Sequence, residues 1–377
     1  MTRHYLLTGA TGFLGGELLA ELLRSGARVT CLVRARRHDP EARLRAMLAG
    51  TGVDAAALRV VGGDVTRDGC GLAESDLAGL RGRVDEIVHA AALIGFLMPP
   101  EQLRQVNVGG TRNALALARS LGGGAGLCHV STAYAAGRVG GTVRDDAPLP
   151  AAPRAFRNPY EASKHAAEAV LRDVADVPWA ILRPSIIVGS SVAPHPVAGH
   201  SLTPLLKALA TERNGLIPAR RSASVDFVSV DYVARAAAHI VADRTLRSRT
   251  FHLVSGAAHP VTLGTYIDAI DATLRRDLPR LRCIAPAAYS LLARPILSRM
   301  ASPAARRVVR IGDAFLPYFA NTPRFDDRGT RAALAGSGIT PPEPVALFRR
   351  ILHRHVAQRA GAVPAQAGYL PEAQAAE

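Results

Sequence analysis

Tyr160 and Lys164 stand four residues apart in the stretch NPYEASK (158–164), which runs straight into the helical sequence HAAEAVL. On a helix that spacing puts both side chains on one face, a turn apart. A phenol beside an ammonium is proton chemistry. To exchange a proton near neutrality, a phenol with a pKa of about 10 must be brought down, each unit representing about 1.4 kcal/mol. A neighbouring ammonium and a helix N-terminus both push that way. Asn158 suits the N-cap, Pro159 the first helical position, and Glu161 the closing partner of a capping box with Asn158. Tyr160 is therefore expected to sit rigidly in the first turn as a general acid. A surface aromatic beside a solvated lysine has the same spacing, so the rest of the chain must decide between the two.

A carbonyl that accepts this proton needs further donors. CHVSTAYAAG (128–137) reads as the end of a strand followed by a turn, and either Ser131 or Thr132 could donate from there. A hydride donor is implied by YLLTGATGFLGGELLAELL (5–23), where Gly9, Gly12 and Gly15 separate a strand from an amphipathic helix. Such a turn lets the backbone from Gly9 through Thr11, Phe13 and Leu14 approach a pyrophosphate, with the helix N-terminus stabilising its charge. The spacing is GxxGxxG, not the more usual GxGxxG. The next strand ends in Arg34, with Arg36, Arg37 and Arg43 following, where an NAD enzyme usually carries an acid for the ribose hydroxyl. Guanidinium suits a 2′-phosphate, so the expected cofactor is NADP(H). Asp64 and Val65 close a third strand where a carboxylate can meet the adenine amino group. Ala90, Ala91 and Ala92 keep the backbone slim where it passes the cofactor. His89, just before them, reads as a packed histidine.

These segments need a frame that brings strand ends together. Strand-like runs HYLL, ARVTCLV, LRVVGGD, VDEIVHAA, GLCHVST and WAILRPSIIVG alternate with helical stretches through the first two-thirds of the chain. Alternation of this kind argues an α/β fold, a Rossmann-type doubly wound parallel sheet with helices on both faces. One such domain is expected over 1–255, with a substrate-side insertion near 190–222. A small helix-rich C-terminal substrate cap is expected over 256–355, and a disordered tail over 356–377.

The 377 residues carry 48% hydrophobic side chains and a net charge of +15, almost all of the cations being arginine. That surface favours anionic partners: phosphorylated cofactors, an acidic carrier protein or an anionic membrane face. The basic, apolar stretch YSLLARPILSRMASPAARRVVR (289–310) is the expected contact, one whose strength must fall as salt screens it. No basic stripe interleaved with aromatics points to nucleic acid. The four cysteines are widely spaced, which argues against metal ligation and for buried thiols in a reducing, cytoplasmic setting. MTRHYLLTGA runs directly into the first strand, leaving no room for a leader peptide.

TGATGFLG, NVGGTRN, STAYAAG, NPYEASK and LRPSIIVG follow one another in the order and spacing of the extended short-chain dehydrogenase/reductases, over roughly residues 5–255. Within that superfamily LVRARR, HVSTAYAAG, DFVSVDYVA and FANTPRFDDRGTRAAL resemble the fatty acyl-CoA reductase and thioester reductase branch. The resemblance implies Thr132, Tyr160 and Lys164 as catalytic hydroxyl, acid and lysine; Thr132 is chosen over Ser131 for its distance from Gly137. It also implies that Asn107 lies on the cofactor-side helix, and Pro184 and Ile186 in the nicotinamide-side loop. The implied activity is NADPH-dependent reduction of an acyl thioester, on coenzyme A or an acyl-carrier protein, to an aldehyde or alcohol. The alternative on the same scaffold is a ketone, steroid or nucleotide-sugar dehydrogenase or epimerase. The cap matches that branch loosely, and the reductase region is expected to stand without a preceding adenylation or carrier domain.

Overall fold

A computed structural model describes residues 2–34, 39–95, 98–146, 149, 156–192, 202, 205–206, 209–210, 216–256, 261–275, 277–293, 295, 313, 315–319 and 323–359. Arg36 and Arg37, much of the expected 190–222 insertion, most of the basic stretch 289–310 and residues 360–377 lie outside that set.

The chain alternates as the apolar runs require: β1 (His4–Thr8), α1 (Phe13–Arg24), β2 (Arg28–Val33), α2 (Pro40–Ala49), β3 (Leu58–Gly62), α3 (Glu74–Leu80) and β4 (Glu86–His89). Then come α4 (Pro100–Leu103), a π-helical turn (Arg104–Gly109), α5 (Gly110–Leu121), β5 (Gly126–Val130), β6 (Thr142–Val143), α6 (Pro159–Arg172) and β7 (Trp179–Pro184). They are followed by β8 (Ile186–Val188), β9 (Leu216–Pro218), β10 (Phe227–Ser229), α7 (Val230–Ala242) and β11 (Arg249–Leu253). Last come α8 (Leu263–Leu274), β12 (Arg282–Ile284), β13 (Arg324–Phe325), α9 (Arg328–Ala333) and α10 (Pro344–Arg359). The final helix thus runs past residue 355 to Arg359.

Seven strands form one sheet in the order β11-β7-β5-β4-β1-β2-β3, with every pairing parallel. The order reverses between β1 and β4, and ligands of doubly wound sheets bind outside the carboxyl ends of the strands at such a switch point. One face of the sheet packs Tyr5, Leu7, Val29 and Val88 against Leu18 and Leu22 of α1 and Ile240 of α7. The other packs Leu6, Ile87 and Leu127 against Ala114, Leu117 and Leu121 of α5 and Leu171 of α6. A further core lies beyond the sheet edge. It draws Val188, Ile217 and Phe227 together with Tyr266, Ile267 and Ile270 of α8 and Phe348 and Ile351 of α10. The helix-rich cap is therefore built from segments on both sides of β11.

Two glycines set the turn after β1. Gly9 has a φ of +75°, and a Cβ there would meet Ala91 N at 2.6 Å. A Cβ on Gly15 would lie 1.9 Å from Gly9 O, against backbone that cannot yield. Gly15→Ala is expected to cost about 3 kcal/mol and to abolish dinucleotide binding. Thermal unfolding with and without cofactor tests this, and a variant that keeps its cofactor-induced rise in midpoint would refute it.

Candidate active site

The end of β1 and the start of α1 form the candidate cradle for phosphate. Gly12 is the N-cap of α1 and offers no side-chain cap, and no acid occupies the first turn. By contrast α2, α6 and α7 are each capped by a side chain, from Asp39, Asn158 and Ser229. Thr11 precedes this N-cap and Phe13 and Leu14 open the helix, while Gly9 closely approaches Ala90 and Ala91 after β4. There Thr8 fixes the crossing: its carbonyl accepts from Ala90 N and its hydroxyl from Ala91 N. The close approaches that bar a Cβ at Gly9 and Gly15 are what a bound pyrophosphate requires of its cradle. The backbone here therefore fits a dinucleotide.

At the expected adenosine side, Arg34 stands exposed at the end of β2 and Asp64 lies just beyond β3. Burial raises the Asp64 pKa, but hydrogen bonds from Thr66 and the charges of Arg34 and Arg67 outweigh it, leaving a carboxylate below its ordinary range. Val65 is buried against Gly110, and its carbonyl accepts from Asn113 of α5. Arg43 lies partly exposed on α2.

The candidate reacting groups Tyr160 and Lys164 lie on α6. Asn158 Oδ1 accepts from Glu161 N at 2.9 Å, as an N-cap should. The reciprocal arm of the expected capping box goes elsewhere, because Glu161 Oε2 accepts from Arg157 N, one residue earlier. Arg157 also donates to Gly137 O at 2.6 Å, and Asn158 Nδ2 donates to Tyr318 of the cap at 2.8 Å. Long-range partners thus hold the first turn in place of a purely local box.

Tyr160 and Lys164 share the inner face of α6, but the ammonium is not aimed at the phenol. Lys164 Nζ is buried and donates to Val130 O at 2.6 Å, with His129 Nε2 at 3.4 Å. Burial pulls its pKa down to about 8, opposed by the charge of Glu168. The Tyr160 phenol is pushed up, not down: burial and the Glu161 charge both favour its neutral form. The expected lowering is therefore absent from the protein by itself, because Lys164 points to the end of β5. A phenol kept protonated at neutral pH is nonetheless a loaded proton donor.

Beneath α6 the two candidate hydroxyls separate clearly. Ser131 Oγ donates to Glu168 Oε1 at 2.5 Å in a fully buried setting. Thr132 caps the short 3-10 turn Ala133–Ala136, accepting from Tyr134 N at 3.3 Å, and its hydroxyl lies 3.4 Å from Pro184 O. A contact that long holds a hydroxyl weakly, so it can turn to another oxygen. The residue between Pro184 and Ile186 is fixed through the half-buried Asp226, to whose carboxylate Ser185 and Ser255 both donate.

Asn107 falls in the π-helical turn and is buried. Its Oδ1 accepts from Leu93 N, and its Nδ2 donates to Leu93 O and Ser163 Oγ. Its amide is thus committed to holding the loop after Ala92 against α6, and it can serve a cofactor only through that loop. His89 is a packed histidine, as its position implied. It bonds Thr8 Oγ1 at 2.8 Å, stacks on His129, and burial lowers its pKa to about 3. Glu168, Arg183 and His129 were not singled out from the sequence. The spacing 160, 164, 168 does place Glu168 on the face of Tyr160 and Lys164.

Among the described residues no helix is long and apolar enough to cross a membrane, and no cluster of three or more His, Cys, Asp or Glu could hold a metal ion. The cysteines are unpaired, three of them buried.

Among solved structures, the terminal R domain from the myxalamid PKS-NRPS biosynthetic pathway is 27% identical, with a TM-score of 0.79 over 97% of this chain and 92% of that one. The reductase (R) domain of a non-ribosomal peptide synthetase from Mycobacterium tuberculosis is 25% identical, with a TM-score of 0.68 over 96% and 93%. Glycine betaine reductase ATRR of Emericella nidulans is 32% identical over 266 residues, 66% of this chain and 20% of that protein. The chain spans between a fifth and a third of the length of the first curated relatives it matches. The NAD-binding family described as male sterility protein matches residues 7–237. With its parallel sheet and the glycine turn after β1, the chain belongs to the male sterility protein family within the extended short-chain dehydrogenase/reductases.

Proposed function

We propose that the chain is an NADPH-dependent reductase of acyl thioesters, taking an acyl group from a carrier protein or coenzyme A and releasing it as an aldehyde, with a second round giving the alcohol. The observation that carries this reading is the match to a terminal R domain, at 27% identity and a TM-score of 0.79 over 97% of the chain. Nucleotide-sugar epimerases share the fold at far lower identity, 16% for one with a TM-score of 0.64, and that likeness speaks to architecture alone.

When bound, the reduced nicotinamide supplies a hydride to the carbonyl carbon. The residues of the chain handle the oxygen and the proton. Thr132 Oγ1 turns from Pro184 O to donate to the thioester oxygen, and Tyr160 donates from the other side. As charge develops on that oxygen, the phenol passes its proton to it, giving a hemithioacetal. Breaking the C–S bond returns that proton as the oxygen reforms a carbonyl, and the departing sulfur leaves as a free thiol after protonation. One thioester, one NADPH and one proton become one aldehyde, one thiol and one NADP⁺. Lys164 holds positive charge at the base of the site and orients the ribose.

NADPH is preferred over NADH because Arg34 offers a guanidinium where a ribose-binding acid is absent. Arg34→Asp is expected to weaken NADPH about 10–100-fold while leaving NADH nearly unchanged. Fluorescence titration of both cofactors measures this, and equal losses would show Arg34 to be only a solvated charge. The substrate class is tested by NADPH oxidation against acyl-CoAs, acyl-carrier proteins, ketosteroids and nucleotide sugars, with free thiol assayed in parallel. Thiol must appear in step with NADPH consumed. Oxidation on ketones or nucleotide sugars with no thioester turnover would overturn the substrate class.

A further inference from the structure

One helical turn behind Lys164, on the same face of α6, lies Glu168, wholly buried. Its Oε1 accepts from Ser131 Oγ at 2.5 Å and Arg183 Nε at 3.0 Å, and its Oε2 from Arg183 Nη2 at 2.7 Å and Arg172 Nη2 at 3.4 Å. Arg183 is likewise fully buried, and its Nη1 lies 3.4 Å from both Asp145 O and His252 Nε2. The locations of these partners matter. Ser131 directly precedes Thr132, Arg183 directly precedes Pro184, and Glu168 follows Tyr160 by two turns and Lys164 by one.

We propose that Glu168 is a positioning residue: its carboxylate clamps the ends of β5 and β7 to α6 where Thr132, Pro184 and the Tyr160–Lys164 pair project, and it supplies the negative charge facing the buried Lys164 ammonium. The inference rests on the reading of Thr132, Tyr160 and Lys164 as the reacting groups. Stability alone accounts for such a cluster poorly, since a buried ion pair can often be replaced by packed apolar residues without loss.

The charge argument follows from what surrounds Lys164. From β5 it meets the Val130 carbonyl and His129, from β4 His89, and from its own helix Glu168. Both histidines are held neutral by burial, with the Lys164 charge adding to the effect. Neither therefore balances the ammonium. Glu168 remains ionised although burial opposes it, because Arg183, Ser131 and Arg172 bond or face it. His165, also on α6, lies within reach of its charge. Without that carboxylate, burial alone would act on Lys164, and the ammonium would lose its proton at lower pH.

The test uses the full chain with NADPH and whichever acyl thioester it turns over fastest. Glu168→Gln keeps the shape and part of the bonding but removes the charge, and Glu168→Asp keeps the charge. Lysine appears only at 164 and 207, so ¹⁵Nζ resonances of lysine-labelled protein can be assigned with Lys207→Arg and titrated directly. In Glu168→Gln the Lys164 titration and the alkaline limb of turnover are expected to move down by about one pH unit or more, while Glu168→Asp keeps both in place. Ser131→Ala, which removes one arm of the clamp and no charge, is expected to lower turnover about tenfold with the limb unmoved. A Glu168→Gln protein whose Lys164 titrates as in the wild type would overturn the charge role. Should that variant not fold, undiminished turnover in Ser131→Ala would overturn the clamp. Tyr160→Phe, run alongside, separates the two layers: if it stays active, the reading of the reacting groups falls; if it is inactive while both Glu168 variants behave as wild type, only the role of Glu168 falls.

Discussion

Replacing Tyr160 by phenylalanine is expected to lower turnover by about 10²–10⁴-fold while leaving cofactor affinity intact. The ring stays, so the packing of the first turn of α6 is kept; only the hydroxyl proposed to deliver the proton is removed. Burial and the neighbouring Glu161 charge keep that hydroxyl protonated across the neutral range, so its own ionisation does not limit the rate there. The alkaline limb of the wild-type profile is instead expected to follow Lys164. Its pKa is lowered to about 8, so the charged form prevails below that pH and activity should fall as pH rises through it. Single-turnover reduction with pre-bound NADPH isolates the chemical step, and fluorescence titration checks cofactor binding separately. A phenylalanine variant with near-normal turnover would sink the mechanism.

Thr132→Ala should lower the chemical step by about 10²–10³-fold, the usual consequence of removing one donor to a developing oxyanion. Thr132 also caps the turn at Ala133–Ala136, so the same change should cost about 1 kcal/mol of stability. Thr132→Ser separates the two effects by keeping a hydroxyl that can both cap and donate. Turnover should recover in the serine variant along with the unfolding midpoint. If serine restores stability and leaves turnover as low as in alanine, the hydroxyl is not the donor.

The contrast between Thr132 and its neighbour shows where the sequence runs out. Both read as hydroxyls at a strand end, and only the fold reveals that Ser131 is tied to a buried carboxylate while Thr132 is held loosely. The sheet was accessible because its apolar runs have the right lengths and alternate with amphipathic helices, so β1 through β5 follow from pattern, whereas the strand order that sets the switch point does not. The Tyr160–Lys164 pair was accessible because helical spacing is itself geometric. The direction in which Lys164 points was not, since an i,i+4 relation fixes a shared face and not the rotamer. Glu161 departs from its expected box for a similar reason. Its partners include Arg157, and Asn158 beside it reaches Tyr318, 160 positions along the chain. Arg183 escaped notice because an arginine inside an apolar strand run reads as an interruption, not as the hub of a buried cluster.

The way the C-terminal third is woven into the sheet domain bears on how this protein can be cut. Leu334, just after α9, packs into the core of the sheet domain, and Phe348 of α10 stacks on Phe227 at a centroid distance of 5.4 Å. A fragment ending at 255 would leave Phe227 and Ile217 facing solvent and strip the far end of the sheet of its cover. The two bodies should accordingly melt in a single cooperative transition and resist separation by limited proteolysis into stable pieces. For anyone grafting this chain onto another assembly, the safe junctions lie outside the span from His4 to Arg359, not at the apparent seam between sheet and cap.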